Sequence, residues 1–274
     1  MRKYCLSLLL LFLTLVSNAV EPPKREIRGV WLTTVYGLDW PHNPATTETG
    51  RKAQQRDVCD ILDRLQDANF NTVFLQVRMR GDVIWRSAIE PASKTFSGKY
   101  GMMPGYDPLA FVVDECHKRG MECHAWFVTF LLGTDKSVKE QGKLSVVRRQ
   151  PKLCKRHNGE WYLDPGVPGT SDYVLSLVKE LVNGYDIDGI HFDYIRYPEQ
   201  AKSFPDKNLY NKYGKKRPLA EWRRENINKM VYRIYDWVKS VKPWIQVSSS
   251  PLGKYNRIER VPNAGWTAYE NVFQ

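Results

Sequence analysis

The sequence predicts an α/β fold, a (β/α)8 TIM-type barrel that breaks off after about five strand–helix units. Three observations carry this. Strand-type and helix-type segments alternate along the chain, the pattern of a parallel sheet covered by helices. Long loops follow the strands while helix-to-strand connections are short, so variety collects on one rim, as in a barrel enzyme. The first strand-to-helix turn lacks the Gly-rich phosphate fingerprint of a doubly wound sheet, the competing architecture. A closed barrel needs eight strands. The pattern supplies about five and stops as a further helix begins near Ala268, so a piece of a longer protein is expected.

Residues 1–19 predict a signal peptide. Arg2 and Lys3 precede an apolar run from Leu8 to Val16, and Ser17, Asn18 and Ala19 offer small residues for cleavage. The run is too short for a comfortable membrane span, and Cys5 lies too early to carry a lipid after cleavage. Export to the periplasm or beyond is the expectation. Residues 26–274 then form one domain.

Each element has its own signal. Residues 28–35 are rich in β-branched and aromatic side chains and predict the first strand. Its loop carries Tyr36, Asp39, Trp40 and His42. Val58, Ile61, Leu62 and Leu65 recur at helical spacing. Residues 72–77 predict the second strand, followed by Arg78 and a long loop over 79–106 holding Arg80, Asp82, Trp85, Arg86 and Glu90. Loops this long without regular structure are usually functional or disordered, and the aromatic and charged content favours function. Asp107 and Pro108 cap the second helix, which Gly120 ends. Residues 122–127 predict the third strand, and a loop runs from about 128 to 170. Val174, Leu177, Val178, Leu181 and Val182 mark the third helix. Residues 188–198 predict the fourth strand and its outgoing loop. Ile227, Met230, Val231, Ile234, Trp237 and Val241 form a strong amphipathic helix, and residues 245–249 the fifth strand.

The formal charge is +11, from 41 Lys plus Arg against 30 Asp plus Glu. Loss of Arg2 and Lys3 with the signal would leave 39 bases and +9. Such a surface favours anionic partners: an acidic polysaccharide, the cell envelope or nucleic acid. Export argues against nucleic acid and for contact with the envelope. Cys59, Cys116, Cys123 and Cys154 lack metal-pair spacing and are read as free, buried thiols. No dense His/Asp ligand set appears, so neither a catalytic metal nor a cofactor is expected.

The chemistry centres on the fourth strand. Ile190 and Phe192 alternate with His191 and Asp193, and Asp193 stands where the apolar pattern stops. A carboxylate at the C-terminal end of a barrel strand is where such enzymes keep catalytic groups. The competing reading is that Asp193 caps the next turn or pairs with Arg196. Gln76, Arg78, Asp82, His124, Trp126, His191, Tyr194 and Arg196 would gather on the same rim as hydroxyl-binding or tuning groups. Trp40, Trp126 and Tyr194 would supply sugar platforms, although any single Trp is more often core. There is no serine elbow. Glycoside hydrolysis needs two carboxyl groups flanking the bond. Asp193 is the first; Glu90 is the candidate partner, with Asp82, Asp164, Glu270 and a residue on the missing strands as alternatives.

Six stretches in one order carry a resemblance: 28–32, 76–78, 107–109, 117–120, 124–127 and 188–198. Together they resemble the glycosyl hydrolase-like 10 family of exported bacterial proteins. The resemblance implies a (β/α)8 glycosidase-type domain, with some members linked to cleavage of peptidoglycan glycan strands, and a family domain that extends past Gln274. Residues 188–193 are also similar to the fourth-strand motif of the alpha-amylase families, which places the nucleophile on Asp193. The strand-five Glu of that pattern is replaced here by Ser248, Ser249 and Ser250. That departure keeps a second expectation alive, a carbohydrate-binding protein without turnover, and a third, a charge-driven cell-wall module.

Overall fold

The computed structural model describes residues 26–198, 201–214 and 217–251. The signal segment 1–19 with Cys5, the helix expected near Ala268 and Glu270 all lie outside the described residues.

Five parallel strands form the main sheet: β1 (Gly29–Leu32), β2 (Thr72–Arg78), β3 (Glu122–Val128), β7 (Gly189–Asp193) and β8 (Gln246–Ser249). Their spatial order is the order of the chain, β1-β2-β3-β7-β8. This settles the architecture. A doubly wound sheet reverses its strand order at a switch point; among the described residues there is none, and right-handed crossovers taken always in one direction put the crossover helices on the same face. The sheet is the (β/α)8 type, represented by five strands.

The crossover helices are α1 (Glu48–Asp67), α2 (Pro108–Lys118), α3 (Thr170–Gly184) and α4 (Leu219–Val241). The Thr47 side chain accepts from Gly50 N–H at the start of α1, and Asp107 accepts from Ala110 N–H at the start of α2. These are the side-chain caps that orphaned first-turn amides require. Gly120, at φ 67°, takes the left-handed position that ends α2. Every residue of β2 is buried, as expected of a strand covered on both faces. The core between sheet and helices contains Val58, Leu62, Val73, Leu75, Val112, Cys116, Val178 and Ile190. Cys116, Cys123 and Cys154 are buried free thiols; Cys59 is only half-buried, beside Glu115. No helix among the described residues is long and apolar enough to cross a membrane.

Two loops differ from the expectation. Residues 128–170 are far from structureless: they hold β4 (Leu131–Thr134), β5 (Cys154–His157) and β6 (Glu160–Leu163), an antiparallel sheet of order β4-β6-β5 standing on the rim. Strands of four residues show too few alternations to be recognised by periodicity. Residues 79–106 are a packed plug, with Val83, Ile84, Trp85 and Phe96 all buried. Val83 bridges to both Arg78 and Ala92. Trp85 donates to the Glu180 carboxylate on α3 at 3.1 Å. The aromatic content of this loop serves burial.

Candidate functional site

The side chains on the inner face of the sheet follow from register. His124 pairs with Gly189, Trp126 with His191 and Val128 with Asp193; His191 pairs with Ser248. Residues two apart share a face, so His191 and Asp193 line the interior in successive layers, with Asp193 at the C-terminal rim. Gly189 is required beneath them: a Cβ there would lie 2.4 Å from His124 Nδ1.

The lower layers are aromatic. Trp31 stacks on Phe74 with centroids 4.6 Å apart, and Phe74 lies 5.1 Å from His124 and 4.8 Å from His191. His124 is fully buried, with Nε2 on the Glu122 carboxylate at 2.9 Å. It belongs to the floor of the barrel rather than its rim. The His191 imidazole meets Ser248 Oγ at 2.9 Å through Nδ1. Burial pushes its pKa down to about 4 against the opposing pull of Asp193, so it is neutral at ordinary pH.

Asp193 is half-buried and held by three donors. Trp126 Nε1–H donates to Oδ2 at 3.0 Å. Tyr194 N–H and Ser250 Oγ–H reach Oδ1 at 2.7 and 3.2 Å. Three strands therefore fix one carboxylate: β3 through Trp126, β7 through its own backbone, and the end of β8 through Ser250. The capping reading of Asp193 contains something real, since Asp193 does accept from the next amide as a turn cap would. No ion pair with Arg196 is formed. The guanidinium instead lies over the Tyr194 ring, 4.9 Å from its centroid. Tyr194 is exposed and left-handed, at φ 48°.

Beyond Asp193 lies a cavity of about 290 Å3, whose walls include Tyr194, Arg196, Glu160, Tyr162, His157 and Asn158. Tyr162 O–H donates to the Glu160 carboxylate at 2.7 Å. Sequence reasoning missed Glu160 and Tyr162, and put Ser250 at a strand end without a role at Asp193. The first two arrive on β6, a strand too short to be seen, and nothing in the sequence aims Ser250 at Asp193. The outgoing loop of β7 is pinned by Arg223 of α4, which is buried, pairs with Asp206 through two contacts of 2.7 and 2.6 Å, and donates to the Ala201 carbonyl.

The structure thus brings together Asp193, Trp126, His191, Tyr194 and Arg196. It separates the others. Glu90 is corrected from a rim acid to a buried ion-pair partner: Arg78 Nε and Nη2 each contact one of its oxygens at 2.7 Å, Tyr173 O–H adds a third bond at 2.9 Å, and both charged side chains are inaccessible. Arg78 is likewise no substrate ligand; its Nη1 donates to the carbonyls of Val128 and Thr129. Gln76 is committed to the backbone, its Oε1 accepting from Thr34 and Val35 N–H at 3.1 and 2.8 Å. Trp40 is fully buried, with Nε1–H on the Gln54 carbonyl and its ring against Phe96, so it offers no face to a sugar. Asp164 is buried at the entry to α3, where Oδ1 accepts from Gly166 N–H; burial lifts its pKa to about 6. Asp82 is also buried, but it lies on the wall of a second rim cavity. No cluster of three or more metal-ligating side chains occurs among the described residues.

Comparisons with known proteins agree with this fold. The family described as Glycosyl hydrolase-like 10 matches residues 26–274. The chain is 36% identical over 272 residues to Glycosyl hydrolase DigH of Escherichia coli (strain K12), covering 92% of this chain and 62% of that one. It is 33% identical over 261 residues to Glycosyl hydrolase YngK of Bacillus subtilis (strain 168), covering 91% and 50%. It therefore spans between half and two thirds of the length of these relatives. Among solved structures, alpha-L-fucosidase isoenzyme 2 from Paenibacillus thiaminolyticus superposes with a TM-score of 0.52 at 18% identity, over 82% of this chain and 32% of that one. That likeness is one of fold.

Proposed function

The chain belongs to the glycosyl hydrolase-like 10 family, and on that premise we propose that it hydrolyses glycosidic bonds in a bacterial envelope glycan, as an exported protein, with Asp193 as nucleophile or base. The observation that carries the reading is the Asp193 carboxylate itself. It stands at the rim end of the fourth barrel strand, partly open, with its orientation fixed by Trp126, Ser250 and the Tyr194 amide. Positioning of this kind is what lets a carboxylate meet an anomeric carbon or a water in near-attack geometry. Tyr194 presents an exposed ring beside it, and Glu160 offers carboxylate oxygens to sugar hydroxyls from the facing hairpin. The basic surface suits an anionic envelope.

The test is Asp193→Asn, which keeps the size and an acceptor for Trp126. Release of reducing ends from peptide-free glycan strands should fall at least about a thousandfold, about 4 kcal/mol of transition-state stabilisation, with an unchanged melting temperature. Retained turnover would remove Asp193 from the mechanism.

A second reading is a glycan-binding protein without turnover. It is favoured by one observation: where the amylase-type pattern carries an acid at the end of the fifth strand, this chain has Ser248, Ser249 and Ser250. Glycan retention by the wild-type chain with no product after prolonged incubation would select it.

A further inference from the structure

A second cavity, also about 290 Å3, opens on the rim between the loops that follow β1, β2 and β3. Tyr36 and Val35 come from the first loop, Arg80, Asp82, Lys94 and Tyr100 from the second, and Lys136 and Glu140 from the third. Three cations therefore converge on it against two carboxyl groups. Lys94 is paired with Glu140. Among the described residues Arg80 and Lys136 close no ion pair with a carboxylate; the Arg80 guanidinium lies over the Tyr36 ring, 5.2 Å from its centroid. Tyr36 is exposed and held in the left-handed region at φ 57°, a conformation that costs a bulky residue free energy and so calls for a reason. Tyr36 lines the cavity. Asp82 is buried, and its Oδ1 has no hydrogen-bond partner among the described residues. A buried polar atom left unpaired calls for an explanation.

We propose that this cavity is a subsite for an acidic sugar, a single saccharide unit bearing a carboxylate, with Arg80 and Lys136 pairing the ligand's anionic group, the Tyr36 ring covering it, and Asp82 hydrogen-bonding to it. The proposal rests on the glycosidase reading only in taking a saccharide as the ligand. A free anion would need no aromatic cover, and a neutral sugar would need no convergent cations. The groups facing Asp82 fix its protonation. Burial and the nearby Glu90 charge raise its pKa to about 7, against Arg78 and Arg80. Tyr100, which also feels Asp82, stays protonated throughout the neutral range. Below pH 7 the carboxyl donates to the ligand; above it, the ionised form repels the same group.

The experiment is calorimetric titration of the whole chain with methyl β-glucuronide and with methyl β-glucoside, at pH 6 and pH 8. The glucuronide should bind at least about tenfold tighter than the glucoside at pH 6, roughly the value of one charge-assisted contact, and should weaken at pH 8. Lys136→Ala and Arg80→Ala should each erase most of the preference, and Asp82→Asn should erase the pH dependence while leaving the preference. Equal affinity for the two glycosides, no binding of either, or a preference untouched by Lys136→Ala would overturn the proposal. Binding is read without turnover, so Asp193→Asn should leave every one of these values in place; failure of the catalytic reading and failure of this one are separate results.

Discussion

Replacing Glu90 by Ala should unfold the protein at a lower temperature rather than disable a folded one. Glu90 accepts two bonds from Arg78 at 2.7 Å and a third from Tyr173, with no solvent access to either charge. Truncation strands a guanidinium in the interior. Breaking a buried pair from one side costs about 3–5 kcal/mol, because the remaining charge is uncompensated. For a domain of this size each kcal/mol moves the midpoint by about 2–4 °C. The expected fall is therefore about 6–20 °C, read by far-ultraviolet circular dichroism. Removing both charges, as Arg78→Met with Glu90→Leu, should recover a large part of that loss, since paired apolar replacement of buried ions is often neutral. A Glu90→Ala protein with an unaltered midpoint and abolished turnover would refute the argument and return Glu90 to the catalytic centre.

Two further outcomes are expected. Trp126→Phe keeps a ring but deletes the Nε1–H donor to Asp193; a charge-assisted bond of about 1.5–3 kcal/mol corresponds to a loss of roughly ten- to a hundredfold in kcat/KM, and steady-state kinetics showing none would leave Trp126 as mere packing. Asp82 has a folded pKa of about 7 against an ordinary 3.8, so its contribution is fully present below about pH 4 and is lost as pH rises to 7. Relative to wild type, Asp82→Asn should thus gain about 2–3 kcal/mol between pH 5 and pH 8 in urea unfolding; a pH-independent difference would contradict the raised value.

The strand–helix order was legible because its signals are local. Val58, Leu62 and their helical neighbours, the Asp107 cap and the Gly120 stop each act within a few residues, and all fall where expected. Asp193 could be named because a strand pattern ends at it. The rest of the site depends on contacts between distant segments. Arg78 and Glu90 both look like polar rim residues in the sequence; only the folded plug around Val83 and Trp85 turns them toward each other. Trp40, in the loop after β1, is sealed against Phe96, while Trp126, within β3, reaches Asp193, a difference that composition does not reveal. Ser250 was invisible as a ligand because its role exists only across the β7–β8 pair.

The Arg78 guanidinium joins parts that barrel proteins usually keep separate. It grips the carbonyls of Val128 and Thr129 at the end of β3, the Glu90 carboxylate in the preceding loop, and through that carboxylate the Tyr173 hydroxyl on α3. Rim loops are commonly treated as interchangeable parts on a constant frame. Here three successive units are bolted at one cation, so the 79–106 segment cannot be transplanted or redesigned by itself. Any recombination of this rim has to exchange the second loop, the tip of β3 and the first turn of α3 as one cassette.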